Sequence, residues 1–219
     1  MNAHDFARDG FGICTNVLSA DECADAARHL PPGAAGTRCL LSQPWCAALA
    51  RRLRAHPALA VGAQMVAVQC TGFEKSAGRN WLVPIHQDLS IPVAARLDHP
   101  ALSGWSVKEG VNFVRTTADL LATVVVVRVH LDPCRLDDGP LRVVPGSHLH
   151  GIVDQTQADA LRAAAGETIC VAPIGAALVM RPLLLHASSK GSGSSARRVL
   201  HFVFGPRRLA HGLDWHVAL

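Results

Sequence analysis

Two side-chain pairs in this chain could open a metal site. Val83-Pro84-Ile85-His86-Gln87-Asp88-Leu89 sets an imidazole and a carboxylate two residues apart behind an apolar run, and His130-Leu131-Asp132 repeats the spacing. With 12 His in 219 residues, chance alone supplies about one such pair. A strand end whose polar pair meets solvent is therefore an open alternative. A third donor separates the two pairs. Two His and one carboxylate can hold Fe(II) on one face of an octahedron and leave the other positions open for chemistry. The carboxylate must be ionised and both imidazoles neutral near pH 7, as their ordinary pKa values allow. His186 closes the apolar run Val-Met-Arg-Pro-Leu-Leu-Leu-His. Between His86 and His186 there is room for about four or five strands to wrap a barrel, but His130 leaves room for only about two or three. His130 also lies well inside the continuous run Leu-Leu-Ala-Thr-Val-Val-Val-Val-Arg-Val-His-Leu-Asp. The spacing selects His86, Asp88 and His186.

Such a triad needs strands to carry it, and the pattern after Pro57 supplies them. Segments near 64–73, 81–86, 120–131, 140–144, 167–172, 175–180 and 197–204 are short and rich in Val, Leu, Ile or Phe. Gly, Pro, Asp or Ser clusters separate most of them, as in a β-sandwich or barrel. Ahead of them, Ser19-Ala20-Asp21-Glu22 reads as a capping box opening a helix to about Leu30, stopped by Pro31-Pro32-Gly33. Ser42 is a candidate cap for a second helix with Pro44 in its first turn and Trp45, Leu49 and Leu53 as its apolar stripe. Thr156 to Ala165 predicts one further short helix. The segment 188–196 reads as a hairpin loop, and 94–118 as a long loop of the kind often used as a lid. No interdomain linker stands out, so residues 1–219 are expected to form one domain.

Bulk properties narrow the classes. Hydrophobic residues make up 49% and charged residues 17%, enough for a core and against extensive disorder. The net charge of +4 comes mostly from Arg, and no basic run alternates with aromatics, so a nucleic-acid partner is not expected. Seven Cys without a C-x-x-C read as reduced, mostly buried thiols in a cytoplasmic protein. The start of the chain is too polar for a signal peptide, and no apolar run approaches a membrane span. Composition leaves the oligomeric state undetermined.

Three stretches give the pattern a family. Residues 80–93 (NWLVPIHQDLSIPV), 127–148 (VRVHLDPCRLDDGPLRVVPGSH) and 178–206 (LVMRPLLLHASSKGSGSSARRVLHFVFGP) resemble the phytanoyl-CoA dioxygenase family, as does the opening FARDGFGICTNVLSADEC. The resemblance covers nearly the whole chain. It implies a mainly β, double-stranded β-helix (a cupin-like jelly roll) with flanking N-terminal helices. It implies Fe(II) held by His86, Asp88 and His186, 2-oxoglutarate as co-substrate, and O2. By the same resemblance Arg197, eleven residues after His186, matches the family's 2-oxoglutarate arginine, and Ser188 a neighbouring contact. Thr71 and Arg128 fall at co-substrate-lining positions. The implied reaction hydroxylates an unactivated C–H of a small metabolite with release of succinate and CO2. Halogenating relatives lack the carboxylate ligand, and Asp88 is present here. A non-catalytic jelly-roll binding module and a cupin-type metalloenzyme that uses no 2-oxo acid are the alternatives.

Strand parity refines this reading. Successive strand residues point to opposite faces, so Arg197, Val199, His201 and Val203 share one face, and Arg198, Leu200, Phe202 and Phe204 the other. A strand covered on both faces would let Arg197 enter the lumen and take His201 with it as a substrate-contact candidate. Asn80, Trp81, Gln87 and Trp105, near the metal pair or on the long loop, are the other substrate-pocket candidates. His148, in the turn after Pro145-Gly146, is expected to be a turn residue and not a ligand.

Overall fold

The computed structural model describes residues 3–31, 36–59, 61–76, 78–193 and 196–219. In chain order the elements are α1 (Ala3–Asp9), β1 (Phe11–Cys14), α2 (Ala20–Arg28), α3 (Pro44–Ala55), β2 (Met65–Lys75), β3 (Val83–His86), β4 (Ser90–Val93), β5 (Ser103–Lys108) and β6 (Val111–Arg115). There follow α4 (Ala118–Ala122), β7 (Val125–His130), β8 (Leu141–Val143), α5 (Gln155–Ala165), β9 (Thr168–Cys170), β10 (Ala177–Met180), β11 (His186–Ser188) and β12 (Arg197–Pro206). The strands make a five-stranded sheet in the order β1-β10-β7-β12-β2, a four-stranded sheet β3-β11-β8-β9, and a small sheet β4-β6-β5. Every strand pair is antiparallel. This is the mainly β jelly roll that the family resemblance implies, and it agrees with the sandwich or barrel read from the strand pattern.

The five-stranded sheet is buried on both faces, which explains its near-continuous apolar runs. On its outer face Leu200, Phe202, Phe204, Val127 and Val129 pack against Cys23, Ala26, Cys46, Ala50 and Leu53 of α2 and α3. On its inner face Val126, Leu178 and Met180 meet Leu141, Val143 and Cys170 of the four-stranded sheet. The lumen lies between these two sheets.

The capping box of α2 is present in both directions: Ser19 Oγ accepts from Glu22 N, and Glu22 accepts from Ser19 N at 2.7 Å. The helix ends at Arg28, ahead of the proline stop, of which Pro32 and Gly33 lie outside the described residues. α3 departs from expectation by one residue. Its N-cap is Gln43, because Ser42 Oγ donates instead to the Cys39 carbonyl within the preceding turn. The buried side is then Cys46, Ala47, Ala50 and Leu53, with Trp45 and Leu49 at its edge. α5 starts at Gln155, where Asp154 and Gln157 form a second capping box.

Three expectations are corrected. The apolar run 120–131 splits, because Thr117 accepts from Leu120 N and starts α4 before β7 begins. The segment 94–118 is not a loop: it carries the β5–β6 hairpin, with Lys108 paired to Val111 across Glu109-Gly110. Both turn residues have positive φ (52° and 79°), the demand of a tight two-residue hairpin turn. Finally, 188–196 is not a hairpin loop. β11 pairs with β3 and β8, whereas β12 pairs with β2 and β7, so the segment crosses from one sheet to the other. Its Ser194 and Ser195 lie outside the described residues.

Candidate active site

His86 ends β3 and His186 begins β11, and the two are directly paired across the ladder. Asp88 follows two residues on, just past the end of β3, and lines the same cavity. One ligand atom from each of His86, Asp88 and His186 lies within 4.8 Å of the others, the one such group among the described residues. His86 Nε2 is 3.8 Å from Asp88 Oδ1, and His186 Nε2 is 3.7 Å from Asp88 Oδ2. Each imidazole donates its Nδ1–H to a backbone carbonyl, His86 to Pro84 (2.9 Å) and His186 to Leu184 (2.8 Å). That fixes the tautomer and turns both free Nε2 lone pairs toward the carboxylate.

The donor set fits Fe(II). Asp88 Oδ2 is buried and has no hydrogen-bond partner, the state expected of an oxygen that a cation completes. Burial would raise the Asp88 carboxyl, but His186, His201, His86 and Arg128 outweigh it and hold the group below its ordinary value. Burial lowers His186, against the pull of Asp88, so it presents a neutral imidazole. The second His-x-Asp pair does not assemble. His130 is fully buried, neither ring nitrogen has a partner, and Asp132 is taken up by Arg198 at 2.7 and 2.8 Å.

A cavity of about 380 Å³ opens over the triad. At one end Arg197 and Lys75 face each other across the β12–β2 ladder. Both are buried, and Arg197 Nη1 donates to the Gly139 carbonyl at 2.8 Å. Lys75 Nζ donates to Ser188 Oγ at 2.7 Å and to the Ser189 carbonyl at 2.8 Å. Ser188 Oγ in turn donates to the Gly139 carbonyl at 2.9 Å. Burial, then Arg197 and Arg128, push the Lys75 ammonium down to about 8. Arg198 points to the opposite face, in its pair with Asp132.

Further along β12, His201 stands opposite Arg128 on β7 and Thr71 on β2. His201 Nε2 lies 3.8 Å from Asp88 Oδ2, and burial drives its pKa down to about 4. Thr71 accepts from Gln69 Nε2 at 2.8 Å. Trp81 lines the cavity with Lys75 Nζ 5.5 Å from its ring centre. Gln87 reaches the lining, but its amide is spent on the carbonyls of Gly151 and Leu183 and on Val153 N. Asn80 and Trp105 are not in the lining. Asn80 holds Gly191 twice, its side-chain amide Nδ2 donating to the Gly191 carbonyl and its Oδ1 accepting from Gly191 N, and Trp105 stacks with Arg96 at 5.6 Å on the β5 hairpin. His148 is a turn residue, bonded to the Ala7 carbonyl.

Little in the sequence marks Lys75 as a site residue. Its one signal is parity with Thr71 and Phe73 on a strand whose other face is covered by the helical layer.

Residues 6–199 match the model of the family described as Phytanoyl-CoA dioxygenase (PhyH). Among solved structures, HygX from Streptomyces hygroscopicus with nickel and 2-oxoglutarate bound is 19% identical over 94% of this chain and 87% of its own, with a TM-score of 0.63. EctD from S. alaskensis in its apoform is 18% identical over 94% and 77%, with a TM-score of 0.67. AviO1 from Streptomyces viridochromogenes Tue57 is 21% identical over 92% of each chain, with a TM-score of 0.60. No curated protein sequence matches the chain.

Proposed function

The chain belongs to the phytanoyl-CoA dioxygenase family, and from that premise we propose that it is an Fe(II)- and 2-oxoglutarate-dependent dioxygenase hydroxylating an unactivated C–H of a small metabolite. One observation carries the reading: a metal-binding triad and a buried Arg197–Lys75–Ser188 cluster line the same cavity. His86, Asp88 and His186 hold the iron. Arg197, with its planar fork, grips the distal carboxylate of 2-oxoglutarate, and Lys75 and Ser188 complete the seat. Bound together, iron and 2-oxoglutarate supply the O2-dependent oxidation that releases succinate and CO2. The protein's own part is to orient these groups, with Thr71 lining the co-substrate, and to seat the substrate beside Trp81 and His201. A cupin-type enzyme without a 2-oxo acid would have no use for two buried cations at that end.

The remaining features agree with this assignment. Residues 1–219 act as one oxygenase domain, since the N-terminal helices cover the outer face of the sheet that lines the site. No helix among the described residues is long and apolar enough to cross a membrane. Seven free thiols fit a reducing, cytoplasmic setting.

The test is succinate formation from 2-oxoglutarate with Fe(II) and O2, run beside Fe(II) titration. Asp88→Ala is expected to abolish turnover and weaken Fe(II) binding while circular dichroism shows the fold intact. Full turnover in Asp88→Ala would sink the assignment. Loss of metal in His130→Ala with retention in His86→Ala would move the site to the other pair.

A further inference from the structure

The charges lining the cavity do not cancel once the site is loaded. Lys75, Lys108, Arg128 and Arg197 line it as cations, with Asp88 the one lining carboxylate among the described residues. Arg38 also lines it but is matched by Glu109 at 3.6 Å. A divalent metal and a dianionic co-substrate offset each other. The four cations against one carboxylate then leave an excess of three positive charges in a cleft whose walls concentrate the field.

Arg128 is the least satisfied of the buried cations among them. It is buried, its Nε has no partner, and among the described residues it makes no ion pair. Its contacts are the face of Phe73, 5.4 Å from ring centre to guanidinium, and His201 Nδ1 at 3.5 Å, the outer limit for a hydrogen bond. Burial, then the charge of Arg197, lowers its pKa to about 9. A guanidinium held this way is strongly unfavourable until an anion joins it.

The family resemblance puts Arg128 among the co-substrate-lining positions, but strand register sets it apart from Arg197 and Lys75. Arg197 stands opposite Lys75, whereas Arg128 stands opposite His201, four residues further along β12. At about 3.3 Å per residue the two stations are roughly 13 Å apart along the backbone. The second station adjoins the metal ligands, since His201 faces Arg128 through Nδ1 and Asp88 through Nε2.

We propose that the primary substrate is an acid, whose carboxylate or phosphate group is received by Arg128 beside the metal triad. Lys108, partly exposed and 4.9 Å from the Phe113 ring centre in the same lining, draws the anion in. This inference rests on the oxygenase reading above and assigns its substrate class.

The test uses the whole protein loaded with Zn(II), which is redox-silent, and 2-oxoglutarate. The probes are short straight-chain and aromatic carboxylic acids, their methyl esters, phosphate monoesters of matched alcohols, and matched primary amines. Binding is read by ligand-observed NMR, and a parallel Fe(II)-loaded sample reads stimulation of succinate release. Binding and stimulation confined to acids or phosphates are expected, and the tighter arm identifies the group. Arg128→Gln should weaken the best of these by roughly tenfold to a hundredfold, the loss expected for one charge-assisted pair. It should raise the 2-oxoglutarate constant by much less. Arg128→Lys should recover part of the affinity, and it serves alone if the glutamine variant does not fold. Esters or amines binding as well as acids, or no binding by any acid or phosphate, overturns the proposal. So does an equal rise in the 2-oxoglutarate constant, which would assign Arg128 to the co-substrate. Failure of the oxygenase reading shows separately, as no succinate with any probe.

Discussion

Arg197 and Arg198 are adjacent, carry the same charge and have opposite surroundings, so they control for each other. Arg197 is 3% exposed and faces the cavity, while Arg198 lies on the other face, bidentate to Asp132. If Arg197 grips the distal carboxylate, Arg197→Ala leaves that carboxylate buried without its partner, a loss on the order of 3–5 kcal/mol. The apparent constant for 2-oxoglutarate should then rise by roughly two to three orders of magnitude or more, at about 1.4 kcal/mol per tenfold. Arg197→Lys should recover only part, because an ammonium lacks the fork. Arg198→Ala breaks a partly exposed ion pair and should cost at most about 1 kcal/mol of stability with the constant unchanged. Succinate formation against 2-oxoglutarate concentration at saturating iron reads all three, and a large loss in Arg198→Ala alone would invert the assignment. Lys75→Met extends the comparison, since it removes a charge and the bond to Ser188 Oγ while keeping much of the volume. A rise in the same constant is expected there too, and no rise would leave Lys75 a structural tie between β2 and β11.

At the scale of elements, the cluster is held by the turn before β8. The Gly139 carbonyl accepts from both Ser188 and Arg197, and its φ is +65°. A Cβ there would run into the Ser189 carbonyl oxygen and press on Gly191. Gly139→Ala should therefore destabilise the protein by about 1–3 kcal/mol and raise the 2-oxoglutarate constant, because the crossover carrying Ser188 must shift. Thermal melting and the same kinetic titration test both halves, and a variant with normal melting and normal kinetics would remove the turn from the site's support. Such contacts explain which parts of the fold were legible in advance. The alternation Arg197-Val199-His201 against Leu200-Phe202-Phe204 gave the two faces of β12, because a strand between a lumen and a helical layer must show both. The β5–β6 hairpin was hidden because its turn is Glu109-Gly110, where Asn or Asp before Gly is the usual signal. Trp105 sits on that hairpin, with Arg96 over its ring, and not on a loop over the pocket. Lys75 was hidden because a lone Lys in a strand normally faces solvent. What buries it is the packing of two sheets around a site that no local pattern encodes. Asn80 shows the converse: near the triad in sequence, it is spent on holding Gly191.

For the whole molecule, the lumen of the β-helix buries Lys75, Arg128, His130, His186 and Arg197, and this sets how stability follows pH. His130 is 2% exposed, neither ring nitrogen has a partner, and burial, then Arg128 and Arg197, lower its pKa from 6.5 to about 3. The unfolded chain takes up a proton at this position as pH falls through 6.5, while the folded protein resists until about 3. The unfolded state thus binds more protons in that window, so stability is full above it and falls as pH drops within it. At pH 5 the loss is about 2 kcal/mol, from about 1.5 pH units at about 1.4 kcal/mol each. His201, lowered to about 4, adds in the same direction. His130→Leu removes the titration and two unpartnered polar atoms with little change of volume, and loss of an unpartnered buried group is neutral or favourable. The variant should match or exceed the natural protein at pH 7, and its loss between pH 7 and pH 5 should be smaller by about 2 kcal/mol. Urea unfolding of metal-free protein at the two pH values measures both quantities, with iron left out so that acid release from the triad does not contribute. Equal losses in the two proteins would mean that His130 is protonated in the folded state at pH 5. In that case a proton or an anion satisfies its ring beside Arg128 and Arg197, and the acid sensitivity of the fold has another source.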